Sequence, residues 1–400
     1  MKICVFVSQF HILNGAEKMA AELAVGLNQR DGCVADIVCM YRSDSSQVEA
    51  AEAKLKQQGV SGIYYLGLPL GATPLQLMGA IYRFRKHLLA FRYDAVEVSM
   101  TMPSLIASIA ALGMKTPIVS GVHSIFSQQR HKTYKHKLWK LALWLNRNAE
   151  FYAVSHAAAD AWKAFSGLGA RRTRVIYNGI APAFFSAKSN RAAFAASYHL
   201  DEGAYWVLFV SRLTAEKGVE TLLDAVGPIA AQNNMQLIYV GDPDFNVAGT
   251  RQAVERMKGL VHEKQWQRHV HFIGRCETIA SLMASADLLV HPSLHESFSL
   301  VVAEALAVGT PVIASNVGGI PEVVENAQVK LVPPDDAIRL REAVMEQMAQ
   351  SEEQIEEQIR LGKQRAVRFT HQRRIDEMVD YFAFILSRPS RNNSAEEGGL

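Results

Sequence analysis

The chain has 400 residues, of which 49% are hydrophobic, and a formal net charge of +3 at pH 7. This length is sufficient for two domains that each bury a substantial core. The small net charge gives no reason to expect a nucleic-acid partner, and four cysteines without the spacing of a metal site or of a secreted scaffold favour a reducing cytoplasm.

The first predicted strand and helix are joined by a loop that suits a ligand. Residues 3–7 are apolar and predict a strand, and Gly15 and Glu17 lie where the next helix begins. A glycine there allows close approach to the backbone, beside the N–H groups of a helix start. Glu17 is either a carboxylate of the site or a helix-start carboxylate that the helix dipole favours.

A later predicted strand, residues 116–120, is followed closely by His123. Imidazole changes charge near neutral pH, so a histidine after a strand end suits a reaction site. A loop histidine can also be simply hydrated. We expect a site role for His123, and the position of the other histidines gives no comparable reason.

The segment from residue 98 to residue 149 contains no acidic side chain and many basic ones. Within it, residues 130–147 combine lysines and arginines with Trp139, Trp144 and several leucines at helical spacing. Such a helix can lie on an anionic membrane surface. Alternatively, its apolar stripe packs into the core and its cations are only solvated. A second basic and aromatic cluster, at residues 82–87, favours membrane contact.

In the second half, residues 206–211 predict a strand, and Arg212 and Lys217 follow it in the loop before the next helix. Open parallel sheets bind ligands at the carboxyl ends of their strands. Two cations there suit a diphosphate leaving group, because an arginine can engage two oxygens at once and a lysine can follow the growing charge. Taken alone, the pair would be more simply explained as solvated surface cations.

A strand, a turn and an apolar helix follow further along the chain. Residues 286–297 predict the strand and the turn, and residues 298–307 predict a helix that Ser297 or Ser299 caps. The backbone N–H groups of the first turn, at about Ser299 and Leu300, can hold a diphosphate without any side chain.

Two carboxylates, Glu296 and Glu304, lie eight residues apart across this helix start. Carboxylates beside a phosphate are electrostatically unfavourable, so they must serve a neutral group that donates hydrogen bonds. Sugar hydroxyls fit that description. Either glutamate could instead be a solvated or capping residue of an ordinary α/β unit.

Five features of the second half together resemble glycosyltransferase family 4. They are 211–218 (SRLTAEKG), 239–242 (YVGD), 272–274 (FIG), the Glu296/Glu304 pair and 318–322 (GGIPE). Members of this family are retaining, sugar-nucleotide-dependent enzymes. The resemblance implies an α/β protein of the GT-B fold, with two Rossmann-like domains whose parallel sheets face a central cleft. A C-terminal helix would cross back to the first domain.

The resemblance also implies roles in the second domain. Arg212 and Lys217 would neutralise the phosphates of the donor, Glu304 would bind the ribose hydroxyls, and Glu296 would bind hydroxyls of the transferred sugar. The residues at the helix start would contribute to the same donor site: Ser297, Phe298, Ser299 and Leu300.

Further roles follow by resemblance elsewhere. Gly274 and Arg275 would line the base pocket, where Arg275 is either a base or phosphate contact or a surface arginine. Gly15, Glu17 and His123 correspond to site residues of the first domain, with His123 close to the transferred sugar. The family usually has two adjacent glycines where this chain has asparagine and glycine at 14–15, which puts the packing of that loop in doubt.

The expected reaction centre is metal-independent and needs no cofactor. No histidines or cysteines cluster as metal ligands. The catalytic groups expected are His123, Arg212, Lys217 and Glu296. The family retains anomeric configuration by front-face attack, so Glu296 is not expected to act as a nucleophile.

The resemblance to family 4 also implies domain boundaries. Residues 1–180 form the expected N-terminal domain, 181–204 a linker and 205–369 the donor domain. The crossing helix is expected at 371–386, and 388–400 is expected to be a disordered tail.

We therefore expect a retaining hexosyltransferase that uses a UDP-sugar, or next a GDP-sugar. Its acceptor would be a glycan or a lipid-linked molecule in cell-surface polysaccharide or lipopolysaccharide biosynthesis. We expect it in the cytoplasm, with peripheral attachment to the inner face of the plasma membrane. Two alternatives stay open: a UDP-sugar 2-epimerase of the same architecture and a non-catalytic nucleotide-sugar binding protein.

Overall fold

The chain forms two compact units. A computed structural model describes residues 1–9, 15–42, 46–69, 71–99, 101–126, 134–146, 148–167, 173–244, 247 and 249–388, without the side chains of residues 16, 46, 47 and 134–136. The first unit comprises residues 1–178 together with the C-terminal segment from Gln372 onward, and the second comprises Gly179–His371.

The first unit is built on a seven-stranded parallel sheet with the strand order β3-β2-β1-β4-β5-β6-β7. Its strands are β1 (Lys2–Val7), β2 (Val34–Cys39), β3 (Ile63–Tyr65), β4 (Ala95–Ser99), β5 (Ile118–Val122), β6 (Ala149–Ala153) and β7 (Thr173–Val175). Its helices are α1 (Gly15–Asn28), α2 (Ser46–Gln57), α3 (Pro74–Phe91), α4 (Thr101–Ala110), α5 (Tyr134–Leu145), α6 (His156–Ser166) and α16 (His371–Leu386).

Alternate residues of β1 pack on opposite faces of this sheet. Ile3 and Val5 join a cluster with α1 and α16, whereas Cys4 and Phe6 join a cluster with α3 and α4. Because helices cover both faces, the strand is apolar throughout, as parallel strands usually are. Helix α16 lies so close to α1 that a Cβ at Gly26 would come within 2.6 Å of the side chain of Ile375.

The second unit has a six-stranded parallel sheet with the order β10-β9-β8-β11-β12-β13. Its strands are β8 (Tyr205–Val210), β9 (Met235–Val240), β10 (Val270–Gly274), β11 (Leu288–His291), β12 (Val312–Ser315) and β13 (Lys330–Val332). Its helices are α7 (Pro182–Phe185), α8 (Arg191–Tyr198), α9 (Val219–Ala230), α10 (Thr250–Glu263), α11 (Ile279–Ser285), α12 (Leu300–Val308), α13 (Ile320–Val323), α14 (Ala337–Met348) and α15 (Glu352–Ala366), with 3-10 turns at Ala215–Lys217 and Val367–Phe369.

Two boundaries differ from the expected pattern, and a third falls largely outside the described residues. The segment expected as a linker, 181–204, carries α7 and α8 and groups with the second unit. The helix expected at 298–307 is α12 and starts at Leu300, because Ser299 has a left-handed φ of +75° that no right-handed helix can include. Of the expected tail, residues 389–400 lie outside the described residues.

Candidate active site

The predicted donor-site residues lie where the strand order of the second sheet reverses. β8 pairs with β9 on one side and with β11 on the other. In an open parallel sheet, ligands bind in the crevice at the carboxyl ends of the strands at this position. Arg212 and Lys217 follow β8, and the loop 292–297 follows β11, so the two predicted motifs border the same crevice.

The loop 292–297 is held on both sides by glycines that allow very close backbone contact. A Cβ at Gly218 would lie 2.0 Å from the carbonyl oxygen of Pro292, and one at Gly318 would lie 1.7 Å from that of Glu296. Both glycines have positive φ, +70° and +53°, which only glycine adopts readily. Because Gly318 has no side chain, the predicted turn at this residue can lie directly against the backbone of the loop.

Glu296 is the centre of a buried polar cluster. Its Oε1 accepts hydrogen bonds from the ammonium of Lys217 and from Nε2 of His291, the latter at 2.9 Å. Only 12% of the Glu296 side chain is exposed. Burial opposes ionisation of this carboxyl, but the hydrogen bond from His291 and the charge and hydrogen bond of Lys217 outweigh it and lower the pKa of Glu296 to about 2. The carboxylate is therefore a charged acceptor at neutral pH.

Our sequence interpretation missed His291. It is the last residue of β11 and almost fully buried, and it belongs to the cluster through its bond to Glu296. The expectation that only His123 stands out among the histidines was therefore wrong. The signal was present: a histidine ends an apolar strand, and Pro292 follows it and turns the chain back toward a glutamate.

The two predicted arginines form ion pairs with aspartates beyond β9. Arg212 pairs with Asp244, and Nε of Arg275 lies 2.7 Å from a carboxylate oxygen of Asp242. Both arginine side chains are more than half exposed. Gly274, the last residue of β10, has a φ of +68° and precedes Arg275 directly.

Ser299 is the residue that immediately precedes α12. Ser299, one of the two residues expected to cap the helix, occupies the N-cap position, but its side chain makes no capping bond. Its hydroxyl is buried and has no hydrogen-bond partner among the described residues. Ser297 and Phe298 precede it in the loop, Leu300 begins the helix, and Glu304 lies one turn further on and is half-buried.

In the first unit, the predicted residues Gly15 and Glu17 lie at the start of α1. Gly15 is the first helical residue, and the Glu17 carboxylate accepts a hydrogen bond of 2.6 Å from the hydroxyl of Ser8 after β1. Glu17 is buried, and its second oxygen has no partner among the described residues. Asn14, the departure from the family pattern, lies outside the described residues.

His123 follows β5 and lies in a second polar cluster. Its Nε2 is 3.1 Å from the hydroxyl of Ser99 and 3.3 Å from that of Tyr152, and both hydroxyls also contact the buried carboxylate of Glu97. Shielding from water and the nearby guanidinium of Arg374 lower the pKa of His123 to about 3. The histidine is therefore neutral at physiological pH.

Within the described part of the chain, no group of three or more His, Cys, Asp or Glu side chains is arranged to hold a metal ion. The same residues include no helix with the length and apolar character needed to cross a bilayer.

Both halves of the chain match known protein families. Residues 13–184 match the family described as Glycosyltransferase Family 4, and residues 190–366 match the one described as Glycosyl transferases group 1. The chain belongs to glycosyltransferase family 4. Its two parallel α/β units form the GT-B fold, since HepE of Anabaena, solved in complex with UDP, superposes with a TM-score of 0.80. That likeness covers 96% of this chain and 100% of HepE at 22% identity.

Curated relatives of this family 4 protein align over shorter stretches. An uncharacterized glycosyltransferase of Methanocaldococcus jannaschii is 33% identical over 160 residues, 39% of each chain. The D-inositol 3-phosphate glycosyltransferase of Jonesia denitrificans is 33% identical over 171 residues, 41% of this chain and 39% of that protein. The chain thus matches about two fifths of the length of each of these relatives.

Proposed function

We propose that this family 4 protein is a retaining, metal-independent hexosyltransferase. Its donor is a nucleotide diphosphate sugar, with UDP as the first choice of nucleotide and GDP as the second. Its acceptor is a glycan or a lipid-linked molecule in cell-surface polysaccharide or lipopolysaccharide biosynthesis. The UDP complex of HepE, a protein of the same fold, supports the choice of UDP.

The observation that carries this proposal is the cluster of Lys217, Glu296 and His291 beside the start of α12. Breaking a glycosyl–phosphate bond leaves negative charge on the diphosphate. The Lys217 ammonium has three N–H donors, so one bond to Glu296 leaves two for phosphate oxygens. Glu296, held as a carboxylate, accepts hydrogen bonds from hydroxyls of the transferred sugar.

In this mechanism the acceptor oxygen forms the new bond to the anomeric carbon on the face from which the phosphate leaves. The bond from that carbon to the phosphate oxygen breaks, and the acceptor proton passes to the leaving phosphate. The anomeric configuration is therefore retained without a protein nucleophile. Glu296 is assigned as a hydrogen-bond acceptor and not as a nucleophile. Its Oε1 already accepts hydrogen bonds from the ammonium of Lys217 and from Nε2 of His291.

Thermal unfolding in the presence of UDP-, GDP- and ADP-sugars, with and without EDTA, tests the donor. A ligand at about 100 times its Kd stabilises the fold by about 2.7 kcal/mol. We expect the UDP-sugar to raise the Tm most, and EDTA to leave that shift unchanged. If no nucleotide sugar raised the Tm, the transferase proposal would be wrong, and loss of the shift in EDTA would refute metal independence.

Substitutions separate the roles within the donor site. Glu304→Ala should weaken donor binding, because the ribose hydroxyls lose their acceptor. Arg212→Ala and Lys217→Ala should lower kcat more than affinity, since their charges act most strongly on the leaving diphosphate. Lys258→Ala, on the exposed side of α10, is the matched control. Kinetics equal to wild type in the three site variants would remove these roles.

Product analysis separates the two alternative functions. Epimerisation or hydrolysis of the donor without any acceptor would favour the epimerase. Donor binding without transfer to any acceptor in a glycolipid extract would favour the non-catalytic binding protein.

We further propose that the first unit attaches to an anionic membrane surface through α5 and α3. On α5, Trp139 is buried, but Leu138, Leu141 and Trp144 are exposed at helical spacing, Trp144 by 64%. Lys137 is exposed on the same helix. Of the expected segment 130–147, residues 130–133 and 147 lie outside the described residues.

Helix α3 presents a similar surface. Leu75, Met78, Tyr82 and Leu89 are exposed along one stripe, and the ammonium of Lys86 lies over the Tyr82 ring. Helix α4 packs against both α3 and α5, so the two stripes lie on helices that share α4 as a neighbour. Apolar side chains bordered by lysines suit an acyl and anionic headgroup boundary.

Vesicle co-sedimentation tests this attachment. We expect the protein to bind vesicles of phosphatidylglycerol and phosphatidylcholine more than vesicles of phosphatidylcholine alone, and to dissociate at high salt. The double variant Leu138→Ser, Leu141→Ser should lower binding severalfold. Ile338→Ser, at a more exposed apolar position in the second unit, should leave it unchanged. Equal binding to both vesicle types, or none, would contradict the proposal.

A further inference from the structure

A chain of hydrogen bonds runs across the carboxyl ends of three neighbouring strands of the first unit. Glu97 of β4 is fully buried, and its Oε1 accepts the hydroxyl of Ser99 at 2.8 Å and that of Tyr152 of β6 at 2.7 Å. The same two hydroxyl oxygens contact Nε2 of His123, which follows β5, at 3.1 and 3.3 Å.

The donor directions in this chain follow from a count of protons. A serine or tyrosine hydroxyl carries one hydrogen, and here both hydrogens point to Oε1 of Glu97. Each hydroxyl oxygen can then only accept from His123, so Nε2 of His123 must donate. The count holds when the Glu97 carboxyl is ionised and when it is protonated at Oε2, because Oε1 accepts both hydrogen bonds in either state.

The charged groups around the cluster favour a neutral imidazole. Arg374 of α16 is buried, and its Nη1 donates to the carbonyl of Met19, while its Nη2 has no partner among the described residues. Its positive charge acts against protonation of His123, in addition to the shielding of that ring from water. Burial raises the pKa of Glu97, and the two hydroxyl donors and Arg374 oppose that effect.

Gly121 allows the cluster to close. A Cβ at this position of β5 would lie 2.5 Å from the hydroxyl oxygen of Tyr152 and 2.8 Å from Nε2 of His123. Any side chain there would separate the two groups. The backbone of β5 is thus compatible with this contact only at a residue without a side chain.

We propose that Glu97, Ser99 and Tyr152 are positioning residues that hold His123 as the neutral tautomer with its proton on Nε2. The lone pair then lies on Nδ1, so His123 serves a ligand hydroxyl as an acceptor and not as a donor. The part of this proposal that concerns a ligand rests on the proposed transferase function. The assignment of the tautomer does not depend on that function.

Nitrogen NMR of the full chain, labelled with ¹⁵N-histidine, tests the tautomer directly. The His123 signals are assigned by their loss in His123→Gln. We expect a protonated Nε2 and an unprotonated Nδ1 at every pH from 8 to 5, whereas free imidazole becomes doubly protonated near pH 6.5. A proton on Nδ1 alone, or an imidazolium at pH 7, would overturn the proposal.

Two sets of variants separate positioning from simple folding. Ser99→Ala and Tyr152→Phe each leave one acceptor for Nε2, so each single variant should keep the tautomer. The double variant removes both acceptors, and at least part of the population should move its proton to Nδ1 while urea unfolding still shows a cooperative transition. An unchanged tautomer in a folded double variant would refute the positioning role. Donor-induced stabilisation in the same samples reports on the transferase proposal separately.

Discussion

Glu296 is a buried carboxylate whose charge depends on two neighbours, Lys217 and His291. Its pKa is about 2 in the folded chain, against 4.5 for an ordinary glutamate. A carboxyl with a lowered folded pKa stabilises the fold above its unfolded pKa, and this contribution disappears as the pH falls toward the folded pKa. The relevant window therefore runs from about pH 4.5 down to about pH 2.

The variant Glu296→Gln tests this linkage. At pH 7 we expect it to be less stable than wild type by about 3 kcal/mol, the free energy of a shift of that size. The difference should shrink as the pH is lowered below 4.5. Urea unfolding between pH 7 and pH 3.5 measures it, with the exposed Glu277→Gln as the control. A difference that is independent of pH would contradict the assigned cause.

Sequence reasoning identified Lys217 and Glu296 in the donor cluster but missed His291 there and Glu97 in the cluster around His123. Lys217 and Glu296 stand in polar loops, where residue type alone suggests chemistry. His291 and Glu97 sit at the end or in the middle of apolar strands, where periodicity describes only the core. A polar residue inside such a strand must find a partner across the sheet, and that partner depends on strand order, which the local pattern does not contain.

At the scale of elements, α5 shows why a helical pattern could not decide between core and membrane. Trp139 and Leu143 are buried while Leu138 and Leu141 are exposed, so the apolar residues occupy two faces. The sequence shows both sets as one amphipathic run. Which set is buried depends on contact with α4 and α6, and that is a property of the packed unit.

Helix α16 offers a matched pair of substitutions. Phe382 is completely buried in the cluster that α16 shares with α1, whereas Phe384, two residues later, is 45% exposed. We expect Phe382→Ala to destabilise the first unit by about 3–5 kcal/mol and Phe384→Ala by less than about 1 kcal/mol. Equilibrium urea unfolding followed by tryptophan fluorescence measures both. Equal losses would mean that α16 does not complete this core.

For the whole molecule, the resemblance to family 4 predicted two Rossmann-like units, and the two parallel sheets confirm them. It predicted the boundary between them less well. The resemblance implied a linker at 181–204, but Arg191 ties α8 to the second sheet through Asp287 and backbone carbonyls. Such long-range bonds leave little trace in local composition.

The two units should separate cleanly at their boundary. Ile180 forms an isolated bridge with Thr370, so the segment that enters the second unit and the segment that leaves it lie side by side. We expect a fragment of residues 179–371 to unfold cooperatively in urea. A fragment of residues 1–178 should lack a cooperative transition and should regain it when residues 372–388 are joined to its end by a short flexible linker. A cooperative transition in the unjoined fragment would contradict this division.

The place of α16 in the first unit also bears on synthesis in the cell. Roughly 190 residues separate the two parts of that unit, so the ribosome must make the entire second unit before the last helix emerges. At about 5–20 residues per second, the nascent first sheet waits on the order of 10–40 s with its α16 face uncovered. A stop codon anywhere in the last helix would therefore leave the earliest part of the polypeptide unfinished, although every one of its strands had been translated.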